Sequence, residues 1–247
     1  MRYKYLTIIL MFSALLAQDK ISLESVLDGT FRTESIGRYD WKNSSDSYYF
    51  SERGDEGLEF YEYNLASNDT LKAFTVKKNI ISNFSYSFSP DQTKLLLKKN
   101  SVKLWRHSSY GSYYVYDISS ESLTPVTADP DSLRNVKFSP DSNKLAFVRN
   151  DNNLYLFDLI NEVEEQLTYA GSEDILNGHF GWVYEEEFGT YDSYKWSPNS
   201  EYIALLEKTK RTLKSMLWLI MKHNIRLLST SGIRRPEKII LLFQLVY

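Results

Sequence analysis

The sequence predicts an all-β protein, and more specifically a partial β-propeller of about four antiparallel blades in an open arc. Three observations lead to this prediction: a short motif recurs at regular intervals, strand-like apolar segments follow each copy, and the composition favours strands. Aromatic residues make up 15% of the 247 residues, led by 19 Tyr. Aromatic side chains are enriched in β-strands, so the composition agrees with the motif.

The repeated motif reads aromatic residue, Ser, Pro, Asp or Asn, a polar residue and then an apolar segment. Its complete copies are YSFSPDQTKLLLKK at residues 86–99, VKFSPDSNKLAFVR at residues 136–149 and YKWSPNSEYIALLE at residues 194–207. A degenerate fourth copy, YDWKNSSDSYYFSE, lies at residues 39–52. The serines of consecutive complete copies lie 50 and 58 residues apart, a period that indicates propeller blades made of several short strands.

Each copy has a local interpretation as an antiparallel hairpin. The alternation of Val136 and Phe138 with polar residues indicates a strand with one buried face. Pro restricts φ and Asp can bond to its own backbone, so Ser-Pro-Asp predicts a turn into the next strand. Residues 112–118 and 153–159 then predict a third strand. The alternative is a β-sandwich with coincidental Ser-Pro turns, but sandwiches carry no such period.

The charge and the N-terminus indicate the compartment. A net charge of −3 offers no basic surface for nucleic acid. Arg2 and Lys4 precede an apolar segment at residues 6–17, which predicts a signal peptide over residues 1–17. This segment is shorter than the roughly 20 residues of a membrane span, so a stable membrane span is the weaker interpretation. We expect an exported protein, periplasmic or extracellular, and the absence of Cys fits bacterial export.

The segment NGHFGWVYEEEFGTY, residues 177–191, places three consecutive glutamates between aromatic residues. Carboxylates repel one another, and an aromatic environment solvates them poorly. A glutamate triplet is most often a solvated surface. Here, however, Trp182, Tyr184 and Phe188 would limit water around the carboxylates and strengthen a contact with a cation. The residues alone leave both interpretations open.

Two segments are similar to the N-terminal propeller region of dipeptidyl peptidase IV and its bacterial relatives. They are VKLWRHSSYGSYYVYDI at residues 102–118 and LTYAGSEDILNGHFGWVYEEEF at residues 167–188, and the resemblance covers most of residues 24–207. Members of this family are serine proteases that release dipeptides from peptide N-termini and favour Pro or Ala as the second residue. The resemblance therefore implies a peptide with a free N-terminus as the partner, and a homodimer as is frequent in the family.

The resemblance also implies substrate-binding roles for particular residues. Glu186 and Glu187 match the glutamates that bind the α-ammonium group of the substrate, and Arg106 matches the arginine that contacts a backbone carbonyl oxygen. A pair of carboxylates suits this role because it binds a cation more strongly than either carboxylate alone. Glu185 is interpreted as solvated or structural, outside the binding site.

No catalytic or metal-binding residue is predicted. The family carries its Ser-Asp-His triad on a C-terminal hydrolase domain whose nucleophile lies in a G-x-S-x-G motif, and this motif does not occur here. Since the chain has no nucleophile with a base, we expect it to be inactive alone. His107 and His179 are interpreted as structural, because two histidines without further ligands at suitable spacing are a weak metal signal. We expect no cofactor.

Residues 208–247 continue without a blade pattern or a Ser-Pro turn. A shifted reading frame can encode strings that resemble the continuation of the family. We therefore interpret residues 18–207 as genuine propeller and residues 208–247 as an out-of-frame tail with little structure, the frame changing near Glu207. The alternative is a divergent C-terminal helix, since LKSMLWLIM at residues 213–221 has an apolar stripe.

Two non-enzymatic functions also stay open. The chain could be a free-standing propeller that binds peptide N-termini without cleaving them. It could also be an interaction propeller that binds a partner through the edges of its blades. Either function favours an ordered terminal cap, since open blade edges attract other strands, and the sequence shows no such cap.

Overall fold

The computed structural model describes residues 21–33, 37–128, 132–209 and 216–218. These residues form four antiparallel sheets of four strands each, which we name blades 1 to 4 in chain order. In blades 1 to 3 each strand pairs with the next strand along the chain. In blade 4 the long strand β15 pairs with β13, β14 and β16, whose bounds follow.

Blades 1 and 2 contain, in order, β1 (Tyr39–Trp41), β2 (Ser47–Arg53), β3 (Gly57–Asn64), β4 (Asp69–Lys77), β5 (Ser85–Phe88), β6 (Lys94–Lys103), β7 (Ser109–Asp117) and β8 (Ser122–Pro125). Blades 3 and 4 contain β9 (Arg134–Phe138), β10 (Lys144–Val148), β11 (Leu154–Asp158), β12 (Val163–Gln166), β13 (Ile175–Asn177), β14 (Tyr194–Trp196), β15 (Ile203–Thr209) and β16 (Met216–Trp218). In the described ranges the helices are α1 (Leu23–Leu27) and α2 (Trp182–Phe188), and α2 lies between β13 and β14.

The Ser-Pro-Asp segments form the predicted turns between the first two strands of a hairpin. In blade 3 the hydroxyl of Ser139 is buried, donates to the carboxylate of Asp141 and accepts from the backbone N–H that begins β10. The residue after Asp141 is Ser142, which has a left-handed conformation with φ of 62°. Gln92 and Ser200 take the same conformation at the equivalent positions. The repeated motif thus specifies one repeated turn geometry.

These turns also join consecutive blades. The backbone N–H of Asp91 in the blade 2 turn donates to Ser142 Oγ in the blade 3 turn over 3.1 Å. In the same way, the N–H of Asp141 donates to Ser200 Oγ in the blade 4 turn over 2.9 Å. The motif therefore shapes each hairpin and also provides a hydrogen bond to the neighbouring blade.

Apolar clusters fill the spaces between consecutive blades. Phe60 and Val76 of blade 1 pack with Leu95, Leu97 and Tyr116 of blade 2. Corresponding clusters join blade 2 to blade 3 and blade 3 to blade 4. Because each sheet packs face to face on the next, the prediction of an all-β partial propeller with four antiparallel blades is confirmed.

The described blades begin at Tyr39, later than residue 24, where the family resemblance begins. Residues 21–33 belong to a separate unit and contain α1, whose first turn is capped by Ser22 and Ser25. In the ranges that the structure describes, no helix has the length and apolar character needed to cross a membrane. The predicted signal peptide lies outside the described residues.

The predicted boundary near Glu207 falls within β15, which continues to Thr209 and also pairs with β16. The other residues of the predicted out-of-frame tail lie outside the described residues. The interpretation of residues 208–247 therefore stays a prediction.

Candidate functional site

The glutamate triplet lies on α2, a short helix inserted into blade 4. Gly181 precedes the helix, and Gly189 ends it in a left-handed conformation with φ of 63°. In this conformation the N–H of Gly189 donates to the carbonyl of Glu185 over 3.1 Å. Consecutive residues of a helix are rotated by about 100°, so three neighbouring glutamates point in three different directions.

Glu185 points into the protein and is only 1% exposed. Its carboxylate accepts hydrogen bonds from the N–H groups of His107 and Ser108 and from the Ser108 hydroxyl. Burial by itself would raise the pKa of this carboxyl group, but these hydrogen bonds outweigh burial and lower the pKa. Glu185 is therefore ionised at neutral pH and holds the loop after β6 against α2. Of the two interpretations offered for it, the structure shows the structural one.

Glu186 points to the side of the helix and contacts the loop that Glu185 holds. Its Oε2 atom lies 2.9 Å from Nη2 of Arg106. The carboxylate side chain is 17% exposed, whereas the arginine side chain is 69% exposed. The structure thus brings together Arg106 and Glu186, two of the three predicted binding residues, although they lie 80 residues apart in the sequence.

Glu187 points towards solvent and is exposed. In the described part of the chain it makes no ion pair with Arg106, unlike Glu186. It nevertheless lies next to Glu186 on the same helix. The three residues therefore present a cation, a carboxylate bound to it and a second carboxylate that faces water.

Two of the three aromatic residues around the triplet are largely exposed. Trp182 is 51% exposed and Phe188 is 68% exposed, so both rings lie largely in water, and the expectation that they limit water at the carboxylates stays a prediction. Tyr184 instead stacks on Phe180, with ring centroids 4.6 Å apart and ring planes 7° apart. The aromatic side chains on this part of the chain therefore stabilise the helix or remain open to contact.

The base of the insertion contains a buried polar cluster of which the sequence indicated only His179. His179 pairs with Asp192 in an isolated β-bridge, so the two ends of the α2 insertion meet. The buried His179 ring also contacts the guanidinium group of Arg134, which bonds to Asn152 Oδ1 over 3.0 Å. Burial lowers the pKa of Arg134 to about 10. His179 thus has hydrogen-bonding partners that support a structural role.

A second charged pair lies beside this base. Lys137 of β9 donates to both carboxylate oxygens of Asp192, at 2.8 and 2.7 Å. Burial lowers the pKa of Lys137 to about 8, although the neighbouring Asp192 acts in the opposite direction. Arg134, Lys137 and Asp192 gave no sequence signal, since their partners come from different blades. Among the described residues, no group of three or more His, Asp or Glu side chains is arranged to hold a metal ion.

Four-stranded antiparallel blades that pack face to face, with an inserted helix carrying charged side chains, define the described region as part of a β-propeller protein. The chain belongs to the dipeptidyl peptidase IV family. The profile of that family described as the dipeptidyl peptidase IV N-terminal region matches residues 89–217. This match includes Arg106 and the whole of α2, and it ends beyond Glu207.

Individual relatives support the same assignment. Dipeptidyl aminopeptidase B of Saccharomyces cerevisiae is 41% identical over 125 residues, which is 50% of this chain and 15% of the yeast protein. Dipeptidyl peptidase 4 of Bos taurus is 34% identical over 190 residues, covering 74% of this chain and 24% of the bovine protein. The crystal structure of Porphyromonas gingivalis dipeptidyl peptidase 4 aligns with a TM-score of 0.67 and 26% identity, over 78% of this chain and 28% of that one. The chain therefore matches between 15% and 28% of the length of these relatives.

Proposed function

We propose that this chain is the N-terminal propeller region of an exported serine-type dipeptidyl peptidase and binds the free N-terminus of a peptide substrate. Glu186 and Glu187 bind the α-ammonium group, and Arg106 donates to a backbone carbonyl oxygen of the peptide. The observation that carries this proposal is the 2.9 Å contact between Glu186 of α2 and Arg106. Arg106 lies on a loop that Glu185 holds in place.

The chemistry of the three residues fits an ammonium group. A primary ammonium offers three donors, and two neighbouring carboxylates on one helix can accept two of them. Arg106 keeps one carboxylate oriented before the ligand arrives and retains further N–H donors for a carbonyl oxygen. Glu187, which is exposed, is free to turn towards the ligand. Such a site selects peptides by their free amino end, as release of dipeptides requires.

Binding and cleavage are separate in this proposal. Carboxylates and a guanidinium at these positions can orient a peptide, but none of them is a nucleophile with an adjacent base. The 247 residues include no G-x-S-x-G motif, so we expect the chain by itself to release no product from a Gly-Pro chromogenic substrate. In a longer protein containing this region, the same residues would position peptides with Pro or Ala at the second position.

The proposed compartment follows from the N-terminus. Arg2 and Lys4, followed by the apolar residues 6–17, match the pattern of a signal peptide for export. A protease that acts outside the cytoplasm meets peptides with free N-termini there. The proposal involves no cofactor and no nucleic acid.

The test is peptide binding by isothermal titration calorimetry with a Gly-Pro dipeptide amide and its N-acetylated form. We expect binding of the free amine and at least tenfold weaker binding of the acetylated peptide, because acetylation removes the charge. Glu186→Gln should weaken binding of the free amine by about tenfold or more, and Glu187→Gln should do so as well. The exposed Glu173→Gln is the charge-matched control and should bind like the wild type. Equal binding of the two peptides would contradict the proposal.

A further inference from the structure

A cavity of about 220 Å³ lies between blades 2 and 3, next to the loop that carries Arg106. Lys98 and Tyr113 come from blade 2, Lys137 from blade 3, and Asp192 from the base of the α2 insertion. The cavity is partly open to solvent. Its walls therefore bring two ammonium groups and one carboxylate to a space that a small ligand can enter.

Lys137 already uses its full hydrogen-bonding capacity. Its ammonium group donates to both oxygens of Asp192 and to the carbonyl oxygen of Tyr194, the last over 2.7 Å. An ammonium group has three donors, so none is left for a ligand. The charge of Lys137 is also compensated by Asp192.

Lys98 is in a different position. Its ammonium group donates to the carbonyl and hydroxyl oxygens of Ser109, which are both neutral. Among the described residues it forms no ion pair with a carboxylate, unlike Lys137, which is also only partly buried. Burial lowers the pKa of Lys98, as expected for a cation without a counter-charge. One donor and one uncompensated positive charge therefore remain at the cavity wall.

Two neutral donors lie beside Lys98. The ring of Tyr113 is 5.5 Å from the ammonium nitrogen, and within the described chain its hydroxyl is not engaged in a hydrogen bond. The hydroxyl of Ser109 accepts from Lys98, so its own proton is available. Both residues line the cavity. A cation and two hydroxyl donors at one wall match the acceptor pattern of a single carboxylate.

We propose that this cavity binds a carboxylate group, with Lys98 as its charged ligand and Tyr113 and Ser109 as neutral donors. Two sources could supply it. His107, the neighbour of Arg106, also lines the cavity, so an acidic side chain on the N-terminal residue of a bound peptide is one source. A free small dicarboxylate is the other. The peptide source rests on the proposed function, whereas the free dicarboxylate does not.

The experiment measures binding by calorimetry with two kinds of probe on the full 247-residue chain. The first is the pair of peptides Glu-Pro amide and Gln-Pro amide, which differ in one carboxylate. The second is glutarate alone. Each is measured with the wild type, with Lys98→Gln and with the matched control Lys99→Gln. Lys99 follows Lys98 on β6, so its side chain faces the other side of the strand and does not line the cavity.

We expect Glu-Pro amide to bind about tenfold more tightly than Gln-Pro amide, and we expect Lys98→Gln to remove this difference while Lys99→Gln keeps it. That result supports a peptide side chain as the source. Glutarate binding that is lost only in Lys98→Gln, without a difference between the peptides, supports a free dicarboxylate.

The proposal is overturned if neither probe shows binding that depends on Lys98. Gln-Pro amide separates this failure from failure of the proposed function, because its binding depends on the free amine and not on the cavity. If Gln-Pro amide and Glu-Pro amide both fail to bind, the proposed function fails. Binding of glutarate, and its dependence on Lys98, then tests the proposed carboxylate site by itself. Circular dichroism spectra of the two lysine variants that match the wild type exclude misfolding as the cause of a loss.

Discussion

The blade turns and the α2 insertion both bury polar side chains, but they satisfy them in different ways. In the turn of blade 3, the partners of Ser139 lie two and five positions further along the chain. In the insertion, the partners of Glu185 lie 77 and 78 positions away. A hydrogen-bonding partner a few residues away forms a short motif that can be recognised in the sequence, whereas a partner 77 residues away forms no such motif. The comparison teaches that two equally buried polar groups can differ completely in how visible they are in the sequence.

The largest effect is expected from the insertion. Glu185→Ala removes the acceptor for the N–H and hydroxyl groups of the buried Ser108 and for the N–H group of the more exposed His107. Each buried donor left without a partner costs about 1–3 kcal/mol, so we expect a loss of about 3 kcal/mol or more in the free energy of unfolding. Urea denaturation followed by tryptophan fluorescence measures it. Glu187→Ala, at an exposed position of the same helix, should change the value by less than about 0.5 kcal/mol.

The pH dependence gives an independent check on Glu185. The pKa of Glu185 in the folded state lies below the ordinary value of 4.5. The ionised carboxylate therefore stabilises the fold fully above pH 4.5. This contribution is lost as the pH falls through the folded-state pKa. The stability difference between wild type and Glu185→Ala should therefore shrink from pH 7 towards pH 3. A difference that stays constant over this range would show that the carboxylate charge is not what holds the loop.

A smaller effect is expected from the turns. Ser139→Ala removes a buried hydroxyl that accepts from a backbone N–H and donates to Asp141, and should cost about 1–2 kcal/mol. Ser197 occupies the same position in the blade 4 turn but is only half-buried. Water can replace its lost contacts, so Ser197→Ala should cost less. Equal losses in the two urea midpoints would mean that burial does not set the strength of this turn.

The smallest effect on stability is expected from Arg106→Ala. The arginine side chain is mostly exposed, and exposed ion pairs contribute about 0–1 kcal/mol. We therefore expect the urea midpoint to change little, while binding of Gly-Pro amide weakens by about tenfold. A large drop in stability would place Arg106 with Glu185 as a structural residue. Lys103→Ala, an exposed cation at the end of β6, just before the loop that carries Arg106, is the control.

The fold could be predicted from the sequence because its information is local. Ser-Pro followed by Asp or Asn recurs at Ser89, Ser139 and Ser197, and each copy is followed by an apolar strand. Turn formation and the alternation of buried and exposed side chains depend on neighbours within a few residues. The number of blades, their antiparallel strands and the positions of the turns therefore followed from the sequence alone.

The site was only partly predictable. The sequence motifs identified Arg106 and the glutamate triplet as charged residues of interest, and the structure brings Arg106 to Glu186. The inward rotation of Glu185 was not predictable, because no helix was expected in the insertion. The two glycines that bracket α2, Gly181 and Gly189, are the signal that would have indicated it.

By itself, the sequence determined the repeated turns, the strand pattern and the membership in the dipeptidyl peptidase IV family, since each depends on a short contiguous pattern. The tertiary structure alone decided which glutamate is buried, that Trp182 and Phe188 are largely exposed, and that Lys98 has only neutral hydrogen-bonding partners. The physical reason is common to all three. Burial and charge compensation are set by groups from different blades, and their distances exist only after the blades have packed against one another.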